Sequence, residues 1–384
     1  MRFLSFAAFN ILETLLRFFP FPCKIGLMKI GNPGKDSPVF LTCNYHLTVQ
    51  RVKRALKGMD AFLLVANSRG INVWCASGGG HLTNHDVVSV LKTSGIEDLV
   101  DQKKVILPQL AASGVEAKVI KQKTGWKVIW GPVYAKDIPL FLKNKFKKTR
   151  EMGEVTFPWT QRLEMAVAWA FPMSVVFSVV MIPFWRGGIL PLVFLVWGLS
   201  LLIFVSFPIY STMLISKEKR IGFIFFNFGR GGFQLLLWMG IIIGLVVYSI
   251  LIKDFSWGFI FRWGLVSLVV VLVLSFDLAG STPIYKSGLH EERRLKVVLD
   301  TKECRGAGFC KLVCPRNCFE VDKKEHVASM TGTERCVRCG ACIVQCPFDA
   351  VHFESPKGQK VPPEIIRRFK LNLLGGRLKK LGQR

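Results

Sequence analysis

Cys336-x2-Cys339-x2-Cys342-x3-Cys346-Pro347 has the spacing at which thiolates wrap a cubane iron–sulfur cluster. The fourth cysteine of such a run normally serves a second cluster, so the motif predicts a partner. That partner is Cys304-x5-Cys310-x3-Cys314-Pro315. Structural zinc sites usually show two separated Cys-x2-Cys pairs instead. Aligning Cys314-Pro315 with Cys346-Pro347 places Ala307 where the second ligand of the upstream half belongs. Crossed ligation then gives one complete site from Cys336, Cys339, Cys342 and Cys314, which suits a [4Fe-4S] cluster. The other site keeps Cys304, Cys310 and Cys346, which suits a [3Fe-4S] cluster or a [4Fe-4S] cluster with one open corner. Cys318 either replaces the missing ligand or is a small buried residue.

A second set of residues with chemical potential is Ile71-Asn72-Val73-Trp74-Cys75-Ala76-Ser77-Gly78-Gly79-Gly80. The apolar run Ile71–Trp74 reads as a strand that delivers Cys75 to its C-terminal end, just before a glycine-rich turn. Backbone without side chains lets a large flat ligand approach. The turn is no P-loop, because no Gly-Lys-Ser/Thr follows. A structural buried cysteine is the plainer reading of Cys75, and a Cys/His pair with His81 or His85 has no signature behind it.

The elements that must position these residues form four regions. Residues 1–30 carry Phe3, Phe6, Phe9, Leu12, Leu15, Leu16 and Phe19 at roughly helical spacing, which predicts a helix lying on a membrane surface rather than a signal peptide. Residues 31–160 alternate strand-like and helix-like runs. Val39–Cys43, Ala61–Ala66, Val105–Leu107 and Val128–Trp130 are predicted strands; Val49–Lys57, Asp86–Lys92 and Ile138–Phe146 are predicted helices, with Thr83 and Asp86 as a capping pair. The alternation predicts a Rossmann-like α/β domain with a largely parallel sheet that binds ligand beyond the strand C-termini. Residues 161–282 hold four membrane-length apolar runs, Leu163–Phe184, Ile189–Tyr210, Phe233–Ile252 and Trp257–Leu278. Residues 283–384 form an α+β domain of the bacterial two-cluster ferredoxin type with a basic tail.

Of the 384 residues 51% are hydrophobic, high for a soluble chain, and the formal charge is +26. Dispersed basic residues without a nucleic-acid motif argue against nucleic acid and for a surface against anionic lipid. The loop between the second and third runs holds Lys217, Lys219, Arg220 and Arg230, and both flanks of the block are basic. The positive-inside rule therefore places both ends in the cytoplasm. An even number of spans puts the α/β and cluster domains on one face. Arg262 and Asp277 lie near the ends of the last run, where either can reach the interface. Cluster chemistry implies a reducing, anaerobic prokaryotic cytoplasm bounded by an inner membrane that the chain crosses several times.

Asn72-Val73-Trp74-Cys75-Ala76 resembles the signature of the corrinoid protein of bacterial mercury methylation, a family related to the corrinoid iron–sulfur protein of acetyl-CoA synthesis. The likeness extends to Pro38–Asn44, Ala61–Asn67, Val105–Leu110, Gly125–Pro132, Glu151–Pro158 and the apolar block. The tail resembles that family's separate two-cluster ferredoxin partner. The resemblance implies a cobalamin-type corrinoid with Cys75 as lower axial ligand to cobalt, and with Asn72, Val73, Trp74, Ala76, Gly78 and Gly79 around it. It implies methyl transfer, with the clusters re-reducing cobalt. Implied partners are a cytoplasmic methyl donor protein or methyl-tetrahydrofolate-type system, and an electron donor. The absence of Asp-x-His-x-x-Gly fits a cysteine ligand. The family's lysine is replaced here by Gly79, and no cysteine follows Cys346, so Hg(II) is expected to be a poor acceptor. A membrane-bound ferredoxin-type electron carrier is the alternative from another class, and a sensor without turnover a third.

Overall fold

The structure, a computed structural model, describes residues 11–16, 19–214, 233–281, 295–355 and 358–368. It divides into two units: Thr156–His290 with Met1–Phe19, and Pro20–Val155 with Glu291–Arg384. The α/β and cluster segments, far apart in sequence, thus belong to one unit.

That unit is built on a five-stranded sheet in the order β1-β3-β2-β4-β5. The strands are β1 Gly26–Ile30, β2 Val39–Cys43, β3 Ala61–Ala66, β4 Lys104–Pro108 and β5 Lys127–Gly131. All pairings are parallel except that of β1, which runs antiparallel to β3 from Gly26↔Val65 to Ile30↔Ala61. Every residue of β2 and β3 is buried, as near-continuous apolar strands covered on both faces must be. The pleat sorts them. Phe62, Leu64 and Ala66 enter one core layer, whereas Ala61, Leu63 and Val65 enter the other. Helices α1 His46–Ala55, α2 Val73–Gly79, α3 Asn84–Thr93, α4 Ala117–Thr124 and α5 Ile138–Lys143 complete the alternation.

Two expectations need correcting. Ile71–Trp74 is no strand: Asn72 is extended and caps α2, so Val73 and Trp74 begin a helix. Gly26–Ile30 is β1 rather than the end of a surface helix, and the α/β unit starts ahead of residue 31. Residues 11–15 are helical, while residues 1–10 of the expected surface helix lie outside the described residues. The capping pair stands as expected, with the Thr83 N–H donated to the Asp86 carboxylate at 2.8 Å.

The cluster segment adds β6 Lys296–Leu299, β7 Phe319–Asp322, β8 Val327–Met330, β9 Val351–Glu354 and β10 Lys360–Val361. They form a three-stranded sheet, β10-β9-β6, and a β7-β8 hairpin.

Among its described residues the other unit holds four helices long and apolar enough to cross a membrane, spanning Trp159–Met181, Arg186–Val205, Phe233–Leu251 and Trp257–Leu274. The second run expected, Ile189–Tyr210, breaks at Ser206 ahead of Pro208, and Phe207–Leu214 forms a separate short helix. Pro172 sits inside the first helix. Val176, Val180, Phe194, Ile209 and Ile243 are exposed, the pattern of side chains that face lipid. Ser200 Oγ donates to Ala166 O at 2.8 Å, joining the first two helices. Arg262 lies 4.8 Å from the Trp185 ring centroid, a cation–π contact that satisfies it near the helix end. Ile221–Phe228 and most of the basic tail lie outside the described residues.

Candidate functional site

Cys75 lies in the first turn of α2 and is exposed. The chain reaches it from β3 through a loop that one buried side chain holds. Asn44, at the end of β2, accepts the Ser68 N–H at 2.8 Å, the Ser68 hydroxyl at 2.9 Å and the Gly70 N–H at 3.0 Å on its Oδ1. Ser68 Oγ in turn lies 2.7 Å from Ile71 O. Asn72 then closes the turn, its Oδ1 accepting the Cys75 N–H at 3.0 Å. Neither polar role of Asn44 nor the cap on Cys75 follows from apolar patterning.

At helical spacing, Cys75, Gly78 and Gly79 share one face of α2, and Val73, Ala76 and Ser77 are buried on the other. A Cβ built at Gly78 would meet nothing within 4 Å. The sulfur therefore shares a helix face with two glycines at the C-terminal edge of the sheet, and does not stand at the strand end and turn expected. Trp74 is half-buried beside it; His81 follows the helix half-buried, and His85 is exposed on α3. Cys43 ends β2 fully buried, and burial pushes its thiol up.

The rear of α2 rests on a segment that also receives the cluster domain. A Cβ at Gly114 would stand 2.6 Å from Leu82 O and 2.7 Å from Ser77 Cα, so only glycine permits this approach. On the far side of the same segment, Gln345 is buried and donates its amide to Ala112 O at 2.8 Å and Val115 O at 2.7 Å. Its Oε1 accepts the Ala117 N–H at 3.3 Å. Val313 and Ala341 enter the α/β core, with Cys339 packed against it. Around them the Val155 N–H reaches Pro315 O at 2.9 Å, Asn317 reaches Glu154 at 2.9 Å, and Arg367 lies 3.9 Å from Glu116. The cluster segment is thus docked as part of the α/β unit.

The cysteines ring two clefts. One is lined by Cys314, Cys318, Cys336, Cys339 and Cys342, the other by Cys304, Ala307, Cys310 and Cys346. The crossed grouping expected from the motif is the grouping the fold produces. The two halves repeat. Gly308 and Gly340 both have φ 75°, and Asn317 and Asp349 adopt the same left-handed turn after each Cys-Pro. In that repeat Ala307 matches Cys339, and Cys318 matches Ala350. One cleft therefore has five thiols and the other three. Cys318 does not replace the ligand lost at Ala307, because it is fully buried in the opposite cleft, with its N–H 3.3 Å from Cys314 Sγ.

The donor set fits iron–sulfur clusters. Backbone N–H groups already point at thiol sulfurs, from Ala328 to Cys304 at 3.3 Å and from Arg338 to Cys336 at 3.4 Å. Among the described residues no three of His, Cys, Asp and Glu converge on one ion; the cysteines surround a cavity instead. Burial pushes the Cys310 thiol up to about 11 and Cys342 well above its ordinary value, so uptake of a cluster releases protons. A hydrogen bond from Cys318 draws Cys314 down to about 6.

Comparison with known proteins covers both parts. Residues 19–142 match the family described as CO dehydrogenase/acetyl-CoA synthase delta subunit, and residues 332–352 match the 4Fe-4S binding domain. The chain is similar to the acetyl-CoA decarbonylase/synthase complex subunit gamma of Archaeoglobus fulgidus, at 37% identity over 116 residues, 30% of this chain and 24% of that protein. It is similar to the subunit of the same name from Methanothermobacter thermautotrophicus, at 38% over 119 residues, 30% of this chain and 26% of the relative. The chain thus spans about a quarter of the length of the curated relatives it matches. The family match falls on the α/β domain that carries Cys75, joined here to apolar helices and a 4Fe-4S motif.

Proposed function

We propose that this chain is a membrane-anchored corrinoid-dependent methyl-transfer protein with a built-in iron–sulfur reductase. The observation that carries the reading is Cys75, exposed at the end of the glycine face of α2, in the domain that matches the acetyl-CoA synthase family. When bound, a corrinoid supplies a cobalt that accepts and releases a methyl group and must be kept reduced to do so. Cys75 would offer a soft sulfur to that metal. Gly78 and Gly79 leave room for the ring, and Asn72 and Asn44 fix the turn that aims the sulfur. Gln345 holds the cluster segment on the rear of the same helix's support. The helices anchor the chain, with both soluble segments on the cytoplasmic side and basic loops against anionic lipid.

The acceptor is a soft metal ion or a thiol. Hg(II) is expected to be a poor one, since it travels on thiolates, Cys43 is buried, and Gly79 stands where the resembling family carries a lysine. Exposing an anaerobe that expresses the chain to Hg(II) checks this, and robust Cys75-dependent methylmercury would reverse it.

The deciding experiment is anaerobic purification of the full chain in detergent, with visible spectrum and cobalt, iron and sulfide analysis, for wild type and Cys75→Ala. Because Cys75 is exposed, the substitution leaves the fold intact. Corrinoid absorption that changes in Cys75→Ala supports the reading. Iron and sulfide without cobalt would replace it with the membrane electron carrier.

A further inference from the structure

Two clefts related by an internal repeat differ where Ala307 stands in place of Cys339, and the structure shows where the missing ligand would have stood. We propose that the cleft of Cys304, Cys310 and Cys346 holds a four-iron cluster whose fourth iron, opposite Ala307, takes a small thiolate from solution. The inference rests on the reading of both clefts as cluster sites.

The repeat comes first. Gly308 and Gly340 share φ 75° and Ala307 stands where Cys339 does, so the three-cysteine loop keeps the backbone of the complete one. Donors come second. Apart from its three cysteines, this cleft is lined by apolar side chains, glycine and Arg305. Arginine stays protonated and cannot bind iron. Cys314 and Cys318, the next thiols along the chain, line the other cleft. Among the described residues the fold therefore offers no fourth ligand.

Access comes third. Ala307 and Arg305 are exposed, Cys304 and Cys346 are half-buried, and Phe348 is 47% exposed. The open corner faces water, whereas in the other cleft the matching Cys339 packs against the α/β core. The ligand's chemistry follows from the surroundings. Iron already bound by sulfur favours another soft donor over water. The Arg305 guanidinium beside Cys304 favours an anion, although it also donates to Lys302 O at 2.7 Å and Cys304 O at 3.3 Å. Pro347 and Phe348 give an apolar rim for the carbon attached to the sulfur. A low-molecular-weight thiolate meets all three conditions.

The test uses the full chain in detergent, reconstituted with iron and sulfide and freed of thiols. Ferricyanide should take one electron as one Fe(II) leaves the open corner, giving a three-iron electron paramagnetic resonance signal from one cluster per chain. Fe(II) and dithionite together should rebuild the four-iron cluster, so mild reoxidation brings back no signal, whereas after dithionite alone it returns; Ala307→Cys should never show it. In the dithionite-reduced protein, 2-mercaptoethanol should shift the spectrum of one cluster toward that of Ala307→Cys, which itself should not respond. A three-iron signal that returns in full on mild reoxidation, after Fe(II) and dithionite together, would overturn the proposal. So would two four-iron clusters indifferent to both ferricyanide and thiol, which would mean an internal ligand. If neither cleft takes up iron and sulfide, the reading of the clefts themselves fails.

Discussion

Gln345→Leu isolates the hydrogen bonds that dock the cluster segment, because leucine keeps most of the volume and none of the polarity. The substitution strips partners from two buried carbonyls, Ala112 O and Val115 O, and from the Ala117 N–H. A buried polar group left without a partner costs about 1–3 kcal/mol. Each carbonyl has a second lone pair, and the Ala117 contact is long at 3.3 Å. About 3 kcal/mol for the set is therefore a fair expectation, equivalent to roughly a hundredfold change in an opening equilibrium. Hydrogen–deuterium exchange of the full chain in detergent reads it. Ala117 must exchange faster simply because its acceptor is gone, so the informative reporter is Val155. Its N–H is bonded to Pro315 O at 2.9 Å through a different part of the contact. If docking is one cooperative unit, Val155 loses protection with Ala117 by a similar factor. Faster exchange confined to residues 109–117, with Val155 unchanged, would refute the view that Gln345 holds the two segments together.

Asn44→Ala should destabilise the α/β unit by about 2–4 kcal/mol in chemical denaturation, since it orphans the Ser68 and Gly70 N–H groups, while the Ser68 hydroxyl keeps Ile71 O. Lys148 gives a pH signature. Burial pushes its ammonium down to about 7 where it contacts Gln109 and Leu312 O, against about 10.4 for an unfolded lysine. Between those values the unfolded chain binds more protons, so stability should rise with pH across that window, and the rise should flatten in Lys148→Met. Reporter fusions after Arg150 and after Arg384 should report the same side of the membrane; opposite sides would remove the common face on which the proposed electron path depends.

The cluster grouping is legible in the cysteine spacing alone, because crossed ligation is written into a repeated loop. The strands β2 to β5 are equally legible, since buried parallel strands are short unbroken apolar runs. Ile71–Trp74 misleads for a related reason. Ile71 and Val73 suit a strand, and Gly78 and Gly79 disfavour a helix, yet Asn72 is an N-cap and only the cap separates the two readings. Cys318 misleads by its proximity in sequence to the depleted half, whereas its match to Ala350 in the repeat assigns it to the complete one. Asn44 and Gln345 leave no periodic signal, because a buried amide is recognised by what it bonds to. The break at Ser206 lies within an apolar run whose hydropathy does not register an end.

The α/β unit is discontinuous, with residues 156–290 inserted between its halves. Synthesis must therefore proceed in an order the finished molecule conceals. At about 5–20 residues per second, roughly 10–40 s separate the emergence of Val155 from that of Ala341. During that interval Ala111, Ala112 and Val115, buried in the mature protein, lack the cover of Val313 and Ala341. The nascent chain thus carries a temporary apolar opening beside the support of Cys75, and only arrival of the cluster segment closes it. Maturation of the cysteine site and completion of the C-terminal segment become a single event, which guards against release of a half-assembled protein.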